Sequence, residues 1–227
     1  MYLKNWENLP EEFKNEAVRP YYEYLKKKQI SLIFKRIFDI FVSIILLILL
    51  SPIFLALAIF IKIDSKGPVF FRQSRVTQYN KEFKIFKFRT MVNDAEKLGA
   101  QVTSQNDSRI TKVGEKIRKY RLDEISQLIN VLIGDMTFVG TRPEVRKYVD
   151  AYTDEMMATL LLPAGITSNA SIEYKDEDEI LSKYSDDVDE AYIKYILPEK
   201  MKINLSSIMN YGFFRDIKTM IDTVIKI

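Results

Sequence analysis

The sequence predicts an α+β protein, mainly helical, in which one long apolar segment enters a membrane and the remainder forms a small domain with amphipathic surface helices. Three observations carry this. From Ile40 to Ile61 there is no charged residue, a run of roughly 33 Å as helix against a bilayer core of about 30 Å. Downstream, "GPVFFRQSRV" and "KEFKIFKFRTM" alternate aromatic and basic residues as short strands do. Beyond them, apolar residues recur at helical spacing, as at Ile125, Leu128, Ile129 and Leu132.

Taken in order, residues 1–33 form an N-terminal amphipathic segment. Prolines at positions 10 and 20 bound short helices over "EEFKNEAV" and "YYEYLKKKQI", expected to lie on the membrane surface. Residues 34–63 are the membrane segment, and Ser51-Pro52 sits at its centre. Proline removes a backbone donor and clashes with the preceding turn, and the Ser51 hydroxyl can satisfy a carbonyl left unpaired. Lys26, Lys27, Lys28, Lys35 and Arg36 precede the segment; Lys62, Lys66, Arg72 and Arg75 follow it. Basic residues favour the cytoplasmic side, so a segment that dips in and returns keeps both clusters inside. A proline-kinked spanning helix is the equal alternative on these residues. Asp39 is expected to pair with Lys35 or Arg36 within one helical turn. The apolar stretch begins near residue 37, is longer than a signal-peptide core and is followed by no A-x-A-like cleavage site, so it reads as retained.

Residues 64–227 form the third region. The two strands surround a turn at "TQYN", and "NDAEKLG" reads as a short helix ending at Gly99. Gly114 to Met136 reads as helical, with Asp123-Glu124 opening its amphipathic part. Gly140 and Pro143 break the pattern, Glu144–Tyr152 resumes it, and "LLPAGIT" reads as a loop. Residues 173–195 form an acidic helical stretch. The terminal "GFFRDIKTMIDTVIKI" places Phe213, Ile217, Met220, Ile221 and Val224 on one side of a helix, suited to a core or to a membrane surface.

Composition narrows the chemistry. The chain of 227 residues contains neither cysteine nor histidine, which excludes disulfides, thiolate metal sites and imidazole catalysis. Catalysis must use carboxylates, Lys, Arg, Tyr or hydroxyls, and a metal would be a hard ion held by oxygen. A net charge of +3 without a compact basic stretch gives no support for nucleic-acid binding. Neither G-x-x-x-x-G-K-[ST] nor G-x-G-x-x-G occurs. Instead, cations gather around one acidic pair: Lys87 and Arg89 in "KFRTM", Arg109 in "DSRIT", Arg118 and Arg121 before Asp123-Glu124, and Arg142 in "GTRPE". Taken alone, the pair reads first as an acidic first turn favoured by the helix dipole.

As a constellation, these stretches resemble the bacterial sugar transferase family, the monotopic polyprenyl-phosphate phosphoglycosyl transferases. The similarity runs from about Phe34 to Thr167 through "FKRIFDI", the "SP" break, "GPVFFRQSRV", "FKIFKFRTM", "DSRITKVGEKIRK", "LDEISQLINVLIGDM", "FVGTRPE" and "PAGIT". Two departures stand out. Thr141-Arg142-Pro143 replaces the usual Pro-Arg-Pro, and "SNASIEYKDEDEIL" replaces the common Gly-Trp-Ala-Gln-Val and Asn-Gly-Arg stretch, which leaves the sugar undefined.

The resemblance implies a re-entrant membrane helix and a catalytic domain at the cytoplasmic face of the bacterial membrane. It implies transfer of a sugar 1-phosphate from a UDP-sugar to polyprenyl (undecaprenyl) phosphate, with release of UMP, as the step initiating polysaccharide or glycoconjugate synthesis. Asp123 would be the nucleophile and Glu124 its neighbour. Both would serve Mg²⁺, with Mn²⁺ as a substitute. Lys87, Arg89, Arg109, Arg118 and Arg142 would bind substrate phosphate. Membrane lipids are implied partners, and the reading admits a homodimer. A membrane-anchored scaffold or regulator is the competing function. A phosphatidyl-alcohol-transferring enzyme would need more spanning helices and a multi-aspartate motif.

Overall fold

The computed structural model describes residues 3–93, 95, 107–174 and 188–226. The expected helix over "NDAEKLG" and most of the acidic stretch lie outside the described residues. Two compact units are distinguishable, one comprising residues 1–40, 74–83 and 134–227, the other residues 41–73 and 84–133.

The first unit is built around its N-terminal segment. Two 3₁₀ turns, Trp6–Asn8 and Glu11–Phe13, lead into α1 (Arg19–Lys27) and α2 (Gln29–Leu49). Leu3, Leu9, Phe13, Val18, Tyr22 and Leu25 are buried with Leu161, Leu205 and Ile208 in one core. The apolar faces of the two turns and α1 are taken up by protein, while Ile30 and Ile33 at the end of the segment are exposed.

Strands β3 (Met136–Val139) and β4 (Ala164–Thr167) pair in parallel, Met136 opposite Ala164 and Val139 opposite Thr167. "MTFV" was expected to end a helix and "PAGIT" to be a loop, so both are corrected to strands. The short helix α6 (Arg146–Val149) replaces the longer one expected over Glu144–Tyr152. A 3₁₀ segment, Met156–Leu161, precedes β4, and α7 (Asn169–Glu173) follows it. Helix α8 (Val188–Ala191), a π-helical turn over Tyr192–Ile196, α9 (Leu197–Met209) and α10 (Phe213–Lys226) complete the unit. Helix α10 packs on β3, β4 and α7, while Phe214, Ile221, Val224 and Ile225 remain exposed on it.

In the second unit, α3 (Ser51–Asp64) leaves α2 at a bend of 60°. The cause is local. Pro52 has no N–H for the Ile48 carbonyl, and the Ser51 hydroxyl donates to that oxygen instead at 2.8 Å. No single helix among the described residues is long and apolar enough to cross a membrane, but the bent pair passes that test together. Helix α3 packs on α4 (Lys112–Lys119), burying Leu57, Ile61 and Ile117 with Phe88. Strands β1 (Phe70–Thr77) and β2 (Lys81–Phe88), each divided between the two units, form the expected hairpin, turning through Tyr79 and Asn80, both with φ near +60°. The helix expected over Gly114–Met136 is interrupted. Arg121 adopts φ +51°, and the chain restarts as a 3₁₀ turn over Glu124–Gln127, continuing into α5 (Leu128–Ile133).

Helix α2 has its polarity reversed. Lys35, Asp39 and Ser43 are buried, whereas Ile30, Phe34, Ile37, Phe41, Ile45 and Ile48 are exposed. Asp39 feels the charges of Lys35 and Arg36 as expected and adds a longer-range contact. Asp39 accepts from the Thr137 hydroxyl at 2.6 Å, and the Lys35 ammonium sits 2.6 Å from Asp216 on α10.

Candidate active site

The acidic pair is positioned by α4 and by residues 84–88 of β2, all in the second unit. Thr111 caps α4 by accepting from the Gly114 N–H at 3.0 Å, and the Asp64 carboxylate accepts from the Val113 N–H at 3.0 Å. Gly114 is required by close approach, since a Cβ there would lie 1.9 Å from the Thr90 carbonyl oxygen. After α4 the left-handed Arg121 turns the chain, and the Leu122 N–H returns to the Ile117 carbonyl at 2.9 Å. Asp123 and Glu124 therefore start a new helical run in place of continuing α4.

That run is clamped to β2 through its polar side chains. Asn130 accepts from the Phe86 N–H at 2.8 Å and donates to the Lys84 carbonyl at 3.1 Å. The Ser126 hydroxyl donates to the Phe86 carbonyl at 3.0 Å, and the Phe88 N–H reaches the Asp123 carbonyl at 3.0 Å. Ser126, Gln127, Leu128, Asn130 and Val131 are the buried positions, while Ile125, Ile129 and Leu132 are half-buried. The expected apolar face is thus partly displaced by polar residues that bond strand backbone. Sequence reading passed over Ser126 and Asn130; polar residues four apart within an apolar run were the available signal.

The clamp brings Lys87 to the pair. Its ammonium donates to Glu124 Oε1 at 3.0 Å and lies 4.0 Å from Asp123 Oδ2. The three side chains are 17–21% exposed, so they are shielded yet reachable. Burial pushes the Asp123 carboxyl above its ordinary range; Lys87 opposes this, Glu124 adds to it, and Arg118 opposes it more weakly. A carboxylate with raised affinity for positive charge, beside a cation donor, is suited to attack on or binding of a phosphorus centre.

The remaining predicted cations have contacts of their own. Arg89 is buried, and its guanidinium donates to the Lys66 and Ser65 carbonyls at 2.6 and 2.8 Å, where α3 ends. These two bonds cap the end of α3. Arg109 grips Asp107 through Nε and Nη2, the latter at 2.6 Å, and holds that carboxyl down at about 2. Arg142 belongs to the first unit, on the loop leaving β3.

Among the described residues no three carboxylates gather into a metal cage. Two carboxylates remain at Asp123 and Glu124. That donor set fits Mg²⁺, which typically takes one or two carboxylates and completes its shell with substrate phosphate and water.

The profile of the bacterial sugar transferase family matches residues 30–227. The chain belongs to this family. Among its relatives, it is 37% identical over 193 residues to the UDP-N-acetylgalactosamine-undecaprenyl-phosphate N-acetylgalactosaminephosphotransferase of Aeromonas hydrophila, covering 84% of this chain and 42% of that protein. It is 36% identical over 204 residues to the UDP-glucose:undecaprenyl-phosphate glucose-1-phosphate transferase of Klebsiella pneumoniae, covering 87% of this chain and 40% of that protein. An uncharacterised sugar transferase of Bacillus subtilis is 33% identical over 196 residues, covering 86% of this chain and 88% of its own length. The chain thus spans about two fifths of the first two relatives and most of the third.

Proposed function

We propose that this sugar transferase moves a sugar 1-phosphate from a UDP-sugar to polyprenyl phosphate through a covalent aspartyl intermediate. The observation that carries the reading is the half-buried Asp123-Glu124 pair held against Lys87, in a chain without histidine or cysteine. The Asp123 carboxylate attacks the phosphorus bearing the sugar. The bond to the UMP oxygen breaks, and UMP leaves with that electron pair. An oxygen of polyprenyl phosphate then attacks the same phosphorus, the aspartyl–phosphorus bond breaks, and the carboxylate is restored.

Asp123 has fewer torsions than Glu124 and holds its attacking oxygen more tightly. Lys87 orients Glu124 and, with Arg118, draws phosphate oxygens towards the pair. Mg²⁺ held by Asp123 and Glu124 would supply charge neutralisation between the two anions.

Features of α2 and α3 support placement at the cytoplasmic face of a bacterial membrane. A helix with Lys35, Asp39 and Ser43 buried and isoleucines and phenylalanines exposed is inverted for water and suited to lipid. The 60° bend and the basic residues on both flanks support a re-entrant segment. A lipid phosphate can then react without its tail leaving the bilayer.

The test is UMP release from a panel of UDP-sugars with polyprenyl phosphate and Mg²⁺, followed by labelling without acceptor and peptide mapping. The label is expected on Asp123, and Asp123→Asn is expected to lose both label and turnover. A label on Glu124, or full turnover in excess chelator, would overturn the corresponding assignment.

A further inference from the structure

Outside the acidic pair, the most elaborate charged cluster lies in the first unit behind the loop Gly140–Glu144. The loop backbone is held on several sides. Gly140 N–H donates to the Thr167 carbonyl at 3.0 Å, and Gly165 N–H to the Thr141 carbonyl at 2.8 Å. The Val76 N–H donates to the Glu144 carbonyl at 2.9 Å, and Arg75 Nη1 donates to the Pro143 carbonyl at 3.2 Å. Gly165 allows this closeness, because a Cβ there would sit 2.2 Å from the Gly140 oxygen.

The Glu144 side chain enters a buried relay. Tyr192 Oη donates to Glu144 Oε1 at 2.6 Å, and Lys200 Nζ donates to Tyr192 Oη at 3.0 Å. The direction is forced: an ammonium has no acceptor and a carboxylate no donor, so the phenol must accept from Lys200 and give its proton to Glu144. Glu144, Tyr192 and Lys200 are each less than a tenth exposed. Lys200 also lies 3.8 Å from Glu144. The Tyr192 ring stacks on Tyr148 with centroids 4.5 Å apart, and it stands at the start of the π-helical turn, a distortion frequent at functional sites.

Such a relay is an inefficient way to stabilise a core, since apolar residues of similar volume commonly do as well or better. What it does achieve is to fix the carboxylate two residues beyond Arg142, and with it the end of the loop. Arg75 and Arg142 are close enough to repel; burial and then that repulsion push the Arg75 guanidinium down on either side of the opposing effect of Glu144.

We infer that Tyr192 and Lys200 are positioning residues, which act through Glu144 to hold the Arg142 loop for a nucleoside diphosphate. This rests on the reading of Arg142 as a substrate phosphate contact. The test is equilibrium binding of UDP to the full-length protein and to Tyr192→Phe, Arg142→Ala and the double variant, with steady-state kinetics alongside. Tyr192→Phe keeps the ring and removes one hydroxyl. It is expected to weaken UDP binding roughly tenfold, the scale of a hydrogen bond to a charged group, and to raise KM for the UDP-sugar with kcat and KM for polyprenyl phosphate changed less than about twofold. In the Arg142→Ala background it is expected to add nothing, because its effect passes through Arg142. Lys200→Met should repeat this pattern. Additive losses, unchanged UDP binding in Tyr192→Phe, or an equal fall in every kinetic constant would overturn the inference. A parent protein that binds UDP with this coupling but transfers no sugar phosphate would leave the inference standing and overturn the catalytic reading; a parent that binds no UDP would overturn both.

Discussion

Asn130 ties the acidic pair to the strand that carries Lys87, so Asn130→Ala should damage both stability and catalysis. The side chain makes two bonds to β2, at 2.8 and 3.1 Å, and is fully buried. Two such bonds contribute about 2 kcal/mol net, and leaving the Phe86 N–H without its acceptor costs about 1–3 kcal/mol more. Some of these costs overlap, so a loss of about 2–4 kcal/mol is expected, or roughly 5–15 °C in melting temperature for a chain of this size. Lys87 is one residue from the freed N–H, and a displacement of about 1 Å at a reacting group can cost up to 10²-fold in rate. Melting in detergent and UMP release below the new transition would be measured together. Ile129→Ala is the control, since Ile129 is half-buried on the same helix and has no bond to β2 among those described. It should lower the melting temperature with little change in kcat/KM. If Asn130→Ala melts within about 1 °C of the parent, or melts lower with undiminished kcat/KM, the clamp does not position the site.

Three further outcomes follow from the same geometry. Gly165→Ala would place a Cβ 2.2 Å from one backbone oxygen and 2.3 Å from a backbone nitrogen of Gly140; a loss of about 3 kcal/mol is expected, and an unchanged denaturation midpoint would contradict the close packing of β3 on β4. Asp123 has its carboxyl raised by burial, so the folded state favours the protonated form and loses stability as pH rises through that group's titration. Asp123→Asn should accordingly melt above the parent at neutral pH, with the gain fading as pH falls towards the ordinary carboxylate range; an equal or lower melting temperature at neutral pH would refute it. Replacing Ser51 and Pro52 together by leucine removes the bend and the hydroxyl that serves Ile48, and should turn the segment towards a straight span. Single cysteines at Trp6 and Lys226, in a chain that has none, should then label from opposite sides of the membrane, whereas both label from the cytoplasmic side in the parent.

Sequence alone determined the features that rest on local rules. The β1–β2 hairpin was legible because alternation and a polar turn act over a few neighbouring residues, and the break at Ser51-Pro52 because a missing N–H is a covalent fact. The placement of Lys87 beside Asp123-Glu124 was foreseen as a constellation, not as a geometry. Tertiary structure decided the rest. Parallel pairing of Met136–Val139 with Ala164–Thr167 joins segments more than twenty residues apart, beyond any local periodicity. The break at Arg121 depends on a left-handed backbone that no residue type announces there. The roles of Ser126 and Asn130 become visible only with β2 lying against them, and that of Arg89 at the end of α3 only with its two backbone acceptors in place. The N-terminal amphipathic faces illustrate the same point: apolar periodicity states that a face will be covered, and which surface covers it is settled by the competing burial each partner offers.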